Sequence, residues 1–222
     1  MSAQAVLEND VVAHFHAALA QAARHDVPFV HWLLQDCLPE KALKEIDALP
    51  FGAHDPAGIS GKRELHNDSR IYFDPLNRER HAVVEHVSTA FQHPVITTAL
   101  FQVTGRRLSG ASLRIEFAQD MDGFWLEPHT DLGVKWLTLL IYVSADEGNE
   151  DMGTDLYDTD KVRVRRARFT PDAAMLFVPS DITYHGFEKR PITGVRKSLI
   201  VNYVSPEWRS REQLAFPDEP VA

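Results

Sequence analysis

The sequence predicts an α+β fold that is mainly β: a double-stranded β-helix (jelly-roll) core with N-terminal helices packed on one face. Three observations point there. Helical spacing of apolar residues dominates the first half of the chain and then stops near residue 107. Short strand-like runs follow: "ASLRIEFA", "WLTLLIYVS", "TDLYD", "VRVRRARF", "AAMLFVPS", "ITYHGF" and "RKSLIVNYV". Turn-forming groups such as "DMDG", "DEGNEDMG", "TPDA" and "TGV" separate them. Many short strands in close succession fit a two-sheet barrel better than a parallel α/β sheet.

The elements follow in order. Residues 5–24 place Val6, Leu7, Val11, Val12, Phe15, Ala18, Leu19 and Ala22 at helical spacing, an amphipathic helix. "VPFVHWLLQDCLP" reads as a short strand entering a turn, and "PEKALKEIDAL" as a helix with Pro39 near its first turn. Residues 51–75 are rich in Gly, Pro, Asp and Asn and read as loop with one short strand at "RIYF". Helical spacing returns from Arg78 to about Val103, broken near Pro94. The expected organisation is one domain: a helical region over 1–107, a jelly-roll core over 108–205, and a polar, loosely held C-terminal extension over 206–222.

Composition bounds the function. Of 222 residues, 44% are hydrophobic and 25% charged, enough to close a core without disulfide or metal staples. The single cysteine, Cys37, excludes an internal disulfide, and its apolar setting predicts simple packing. No basic, apolar leader and no stretch of membrane-spanning length is visible, so a cytoplasmic protein with no membrane partner is expected. A net charge of −9 argues against nucleic acid as partner. A homodimer through the N-terminal amphipathic helix stays open.

Two His-x-Asp steps occur, His66-Asn67-Asp68 and His129-Thr130-Asp131. In an extended segment residues i and i+2 point the same way, so either pair could converge on a metal. A non-haem Fe(II) site takes two histidines and one carboxylate on one face. Downstream of Asp131 one histidine remains, His185 in "DITYHGF", and it completes such a set. His66-Asn67-Asp68 lacks comparable downstream partners and reads as turn chemistry, or as a lining of the pocket mouth.

The last strand supports the second copy. Arg196, Ser198, Ile200 and Asn202 share one face of "RKSLIVNYV", while Lys197, Leu199, Val201 and Tyr203 share the other, largely apolar one. The first set is therefore expected inside the barrel. A buried guanidinium requires a carboxylate or phosphate, and no acidic residue is an obvious fixed partner, so a carboxylate ligand is expected. By the same alternation Trp136, Thr138, Leu140 and Tyr142 line the cavity, and Thr138 and Tyr142 bring hydroxyls into it.

These residues resemble the Fe(II)- and 2-oxoglutarate-dependent dioxygenases, particularly the prolyl-hydroxylase-like branch. The resemblance runs through "LRIEFAQDMDGFWLEPHTD", "WLTLLIYVS", "MGTDLYD", "AAMLFVPSDITYHGF" and "GVRKSLIVNYV", and "FVHWLLQDCLPEKALKEIDAL" looks like the branch's usual opening. It implies His129, Asp131 and His185 as catalytic metal ligands, Fe(II) as the metal, and 2-oxoglutarate and dioxygen as co-substrates. It also implies Arg196 as the grip on the distal carboxylate of 2-oxoglutarate, with Ser198 and Tyr142 as hydroxyl partners and Thr138 beside them. The implied reaction hydroxylates an unactivated C–H of a small-molecule or peptidyl substrate, with 2-oxoglutarate converted to succinate and carbon dioxide. One departure is "MGTD", where Thr154 stands in place of a glycine.

Two other readings compete: a cupin-like metal dioxygenase or isomerase without 2-oxoglutarate, and a catalytically silent barrel that serves as an interaction module. The substrate is not legible; Trp125, Glu127, Arg114, Lys135 and His66 are candidates for the entrance, each also readable as a surface or packing residue.

Overall fold

The computed structural model describes residues 3–53, 61, 70–131, 133–144 and 149–222, so His66-Asn67-Asp68 lies outside the described residues. Helix α1 (Ala3–Ala20) buries Leu7, Val11, Phe15, Ala18 and Leu19. It stops short of the expected residue 24, because Ala23–His25 form β1 and pair antiparallel with β2 (His31–Leu34). The backbone groups gain sheet partners there, which outweighs a weak helical preference. Helix α2 (Glu40–Asp47) follows Pro39 and buries Ala42 and Ile46.

After β3 (Ile71–Tyr72) come α3 (Pro75–Arg80), α4 (Ala82–Gln92) and α5 (Pro94–Thr104). Asp74 caps α3 by accepting from the Asn77 amide at 2.8 Å. The break between α4 and α5 falls where Pro94 predicts it, with proline at the first helical position. Gly105 ends α5 at φ 73°, a left-handed conformation that glycine takes without strain.

The remaining strands are β4 (Ser112–Asp120), β5 (Leu126–His129), β6 (Lys135–Ser144), β7 (Asp155–Tyr157), β8 (Arg163–Arg166), β9 (Ala174–Phe177), β10 (His185–Phe187) and β11 (Arg196–Val204). They form a seven-stranded sheet, β1-β2-β9-β6-β11-β4-β3, facing a four-stranded sheet, β5-β10-β7-β8. All pairs are antiparallel, and the architecture is the expected jelly roll with helices on one face. No described helix is long and apolar enough to cross a membrane.

The larger sheet separates two environments. Its outer face (Leu113, Ile115, Phe117, Leu137, Leu139, Ile141, Leu199, Val201, Tyr203) packs with Phe15, Val84, Phe91 and Leu100 of the helices into one apolar core. Its inner face joins the smaller sheet around Tyr142, Phe169, Met175, Phe177 and Phe187. Between these inner apolar residues lies a polar set: Arg114, Glu116, Asp131, Thr138, His185, Arg196, Ser198 and Asn202, all buried. Buried polar groups at that density need partners, and Arg114, Glu116, Asp131, Thr138 and Asn202 find them in one another.

Two expectations are corrected. The C-terminal extension is not loosely held. Leu214, Ala215, Phe216 and Val221 are buried, the Ala215 and Val221 amides donate to Leu113 and Ala111 carbonyls at 2.9 and 2.8 Å, and Arg78 lies over the Phe216 ring. Its few apolar residues suffice because the backbone on either side pairs with the edge of the barrel. The inner face of β6 also differs at its start. Lys135 pairs with Val204 and Leu137 with Tyr203, so Trp136 is an extra residue in a β-bulge. Trp136 packs at the margin of the outer core under Arg106, while Lys135 becomes buried beside the polar interior.

Candidate metal centre

His129 ends β5 and His185 begins β10, and the two are directly opposed in the antiparallel pair. Their rings lie 4.4 Å apart between centroids. Gly186 makes this approach possible: a Cβ there would meet the Leu126 carbonyl oxygen at 2.6 Å. Asp131 follows two residues after His129, with carboxylate oxygens 3.9 Å from His129 Nε2 and 3.7 Å from His185 Nε2. One ligand atom from each of the three residues lies within 4.8 Å of the others, a spacing from which small side-chain rotations bring all three onto one ion.

The ring nitrogens are already sorted. His129 Nδ1 lies 2.9 Å from the Glu127 carbonyl and His185 Nδ1 3.0 Å from the Thr183 carbonyl. A carbonyl can only accept, so each Nδ1 carries the proton and each Nε2 offers its lone pair to the cluster. Phe177 also packs against His185, with ring centroids 4.8 Å apart and the planes tilted by 60°. This donor set, two neutral imidazoles and a carboxylate, suits Fe(II).

Asp131 is held from behind. Lys135 Nζ donates to Oδ1 at 2.8 Å, and Thr138 Oγ1 donates to Oδ2 at 3.0 Å. Thr138 in turn accepts from Asn202 Nδ2 at 3.0 Å, and Asn202 Oδ1 accepts from Arg114 at 3.0 Å. Arg114 also reaches Glu116 at 2.9 Å and Gln213 at 2.9 Å, and Arg70 closes on Glu116 at 2.7 Å. A continuous, largely buried chain thus links the Asp131 carboxylate to the C-terminal segment.

The triad opens on a cavity of about 60 Å³ whose lining includes Phe124, Leu126, Leu140, Phe187 and Ile200, with Arg196 also on its wall. Arg196 is buried, as its strand face predicts, but the expectation that it lacks an internal acidic partner is wrong. Asp120 stands directly across from it in the β4–β11 register, and its Oδ2 accepts from Arg196 Nη1. Arg196 Nε donates to the Met152 carbonyl at 2.7 Å. Burial pushes the Asp120 carboxyl above its usual range, against the opposing pull of Arg196 and Arg70.

The hydroxyls are distributed differently from the resemblance. Thr138 lines the cavity, but its proton serves Asp131. Tyr142 is buried on the inner face, and its hydroxyl donates to Thr154 Oγ1 at 3.0 Å while accepting from the Thr154 amide at 3.1 Å. Ser198 sits between Arg196 and Ile200 on the same strand face, buried, with no hydrogen-bond partner for its Oγ among the described residues. Of the entrance candidates, Arg114 and Lys135 are interior, Glu127 is exposed, and Trp125 lies against Gly61. Cys37 is fully buried, and burial pushes its thiol far up, consistent with packing.

Sequence reasoning missed Asp120, Glu116, Arg114 and Arg70 as interior residues, while Asn202 lies inside as its strand face predicts. The signal was present in β4, where Arg114, Glu116 and Asp120 alternate with Leu113, Ile115 and Phe117, the same pattern that exposed Arg196. Together Arg70, Arg114, Lys135 and Arg196 face Glu116, Asp120 and Asp131, so among the described residues cations outnumber carboxylates. Such an interior favours an anionic ligand.

Comparison with known proteins separates sequence from shape. No family model matches the chain, and no curated protein matches it in sequence. Among solved structures it is similar to a prolyl hydroxylase from Trichoplax adhaerens in complex with a hypoxia inducible factor peptide fragment, with TM-score 0.57 and 14% identity over 91% of this chain and 90% of that one. A Pseudomonas putida prolyl-4-hydroxylase gives 0.56 and 14% over 88% and 93%. A viral collagen prolyl hydroxylase from Paramecium Bursaria Chlorella virus-1, in a 2-oxoglutarate complex, gives 0.55 and 16% over 79% and 96%. At such identities the likeness establishes a shared fold.

Proposed function

We propose that this chain is an Fe(II)- and 2-oxoglutarate-dependent oxygenase that hydroxylates an unactivated C–H. The observation that carries the reading is the convergence of His129, Asp131 and His185, with both Nε2 atoms turned to the carboxylate, on a cavity that also holds Arg196. With 2-oxoglutarate and dioxygen, Fe(II) in this site supplies oxidative decarboxylation to succinate and carbon dioxide, coupled to C–H oxidation.

The chain's own residues bind, orient and exclude water. His129, Asp131 and His185 would hold the metal. Lys135 and Thr138 fix the carboxylate, and the Glu127 and Thr183 carbonyls fix the imidazole tautomers. Arg196 supplies the charge for the distal carboxylate of 2-oxoglutarate, and Ser198 an uncommitted hydroxyl on the same face. Phe124, Leu126, Leu140, Phe187 and Ile200 keep the cavity apolar where the reacting C–H must lie. Asp131 would serve as the carboxylate ligand that a halogenase of this type lacks, which favours hydroxylation or desaturation over halogenation.

A cupin-like reaction without 2-oxoglutarate would leave the cationic excess of the described interior without a ligand, and a silent barrel would not need the sorted imidazole tautomers. Since the similar structures are prolyl hydroxylases by name, one of them seen with a peptide, proline-containing peptides are the first substrates to test, followed by free amino acids and small acids.

The test is an anaerobic iron titration followed by aerobic succinate release across that panel. One Fe(II) per chain and succinate formation stimulated by a panel member are expected. Iron binding without any succinate, stimulated or uncoupled, would sink the 2-oxoglutarate reading and favour the cupin-like one. Failure to bind iron would leave the silent barrel.

A further inference from the structure

Both groups that would grip the distal carboxylate of 2-oxoglutarate are already engaged by this chain's own residues. Asp120 is fixed opposite Arg196 by a β4–β11 pairing that runs from Ser112 to Asp120. Its carboxylate sits on Nη1, while Nε is committed to the Met152 carbonyl. The guanidinium has little room to swing away, because the rings of Phe187, Phe169 and Tyr142 lie 4.8, 5.3 and 5.8 Å from it. Tyr142 has one hydroxyl proton, and Thr154 Oγ1 receives it.

We propose that Asp120 is an internal competitor for Arg196 and, with Thr154 holding Tyr142, sets a deliberately low affinity for the distal carboxylate of the co-substrate. The inference rests on reading Arg196 as the carboxylate anchor. Its physical basis is like-charge repulsion in a buried site: a second carboxylate arriving at one guanidinium must share it with the first. Arg70, which pairs with Glu116 and also lines the cavity, is a second cation that acts electrostatically on Asp120. In consequence co-substrate occupancy should follow its concentration instead of saturating at low levels.

The test compares 2-oxoglutarate with 2-oxovalerate, which has the same chelating end and no distal carboxylate, by anaerobic calorimetry on the Fe(II)-loaded full chain. In the parent, 2-oxoglutarate should bind better by no more than about tenfold, because Asp120 offsets the arginine. Asp120→Asn keeps the shape and removes the charge; it should widen that preference by about tenfold, through 2-oxoglutarate alone. Thr154→Val releases the tyrosine proton and should widen it by roughly threefold. Iron and 2-oxovalerate affinities should not move in either variant.

A parent preference of about a hundredfold or more would overturn the proposal without any variant having to fold. So would a loss of 2-oxoglutarate affinity in Asp120→Asn, which would make Asp120 a prop for Arg196. If the parent and all variants, Arg196→Lys included, bind the two acids equally, the anchor reading itself falls and takes the proposal with it. That pattern differs from a failure of the proposal alone, in which Arg196→Lys weakens 2-oxoglutarate but Asp120→Asn does not strengthen it.

Discussion

At the histidine end of the cavity, the polar groups are held by atoms that a ligand would not use; at the arginine end, they are held by atoms that it would. His129 and His185 are anchored through Nδ1, which leaves Nε2 turned to the cluster. Arg196 and Tyr142 are instead engaged through Nη1 and the phenolic proton, the same groups a carboxylate would take. The first end already has the arrangement that a metal would require. The second must exchange internal partners for external ones. Pre-organisation lowers the cost of binding, so the two ends of one cavity should differ in how tightly they hold what they bind.

The largest effect should break the histidine end outright. His185→Ala removes one of three ligands, and Fe(II) affinity should fall by more than about a hundredfold, beyond the ten- to hundredfold typical of outer-shell changes. Anaerobic iron titration checks this, and undiminished binding would remove His185 from the site. Thr138→Val sharpens the comparison, since it deletes one bond behind Asp131. Iron affinity should drop by about tenfold while 2-oxoglutarate affinity per iron-loaded chain stays near that of the parent.

The converse substitution is Arg196→Lys. Lysine keeps the charge but loses the planar fork, so 2-oxoglutarate affinity should fall by roughly tenfold with iron binding unchanged. Ser198→Ala should do less, because a neutral hydroxyl contributes less than an ion pair. Calorimetry on both variants reads the order, and equal effects on iron from Thr138→Val and Arg196→Lys would erase the distinction between the ends. Smallest of all, His66→Ala should leave iron binding intact; a loss matching that of His129→Ala in a folded variant would mean the other His-x-Asp holds the metal.

How much of this was legible in the sequence depended on the range of the signal. The triad was readable because His129 and Asp131 share a face by local alternation and only one histidine lies downstream. Arg196 was placed inside by the same alternation. Its partner was not, because Asp120 lies 76 residues away and meets it only through the β4–β11 register, which no local pattern encodes. Lys135 was misplaced for a different reason: one extra residue at Trp136 inverts the period-two reading that held along the rest of β6. The C-terminal segment misled through composition, since Leu214, Ala215 and Phe216 are few among polar neighbours yet all buried.

The chain of contacts behind Asp131 also sets a schedule. Its members come from widely separated parts of the sequence: Arg114, Asp131, Thr138, Asn202 and finally Gln213. On the ribosome, His129 and Asp131 emerge as a bare pair, with His185 and the strand bearing Asn202 still to be made. The carboxylate acquires its full set of anchors only when the segment carrying Gln213 has been synthesised and docked. Metal capture by this chain should therefore be a late event in its biogenesis, and a nascent chain halted before residue 213 should release iron that the finished protein retains.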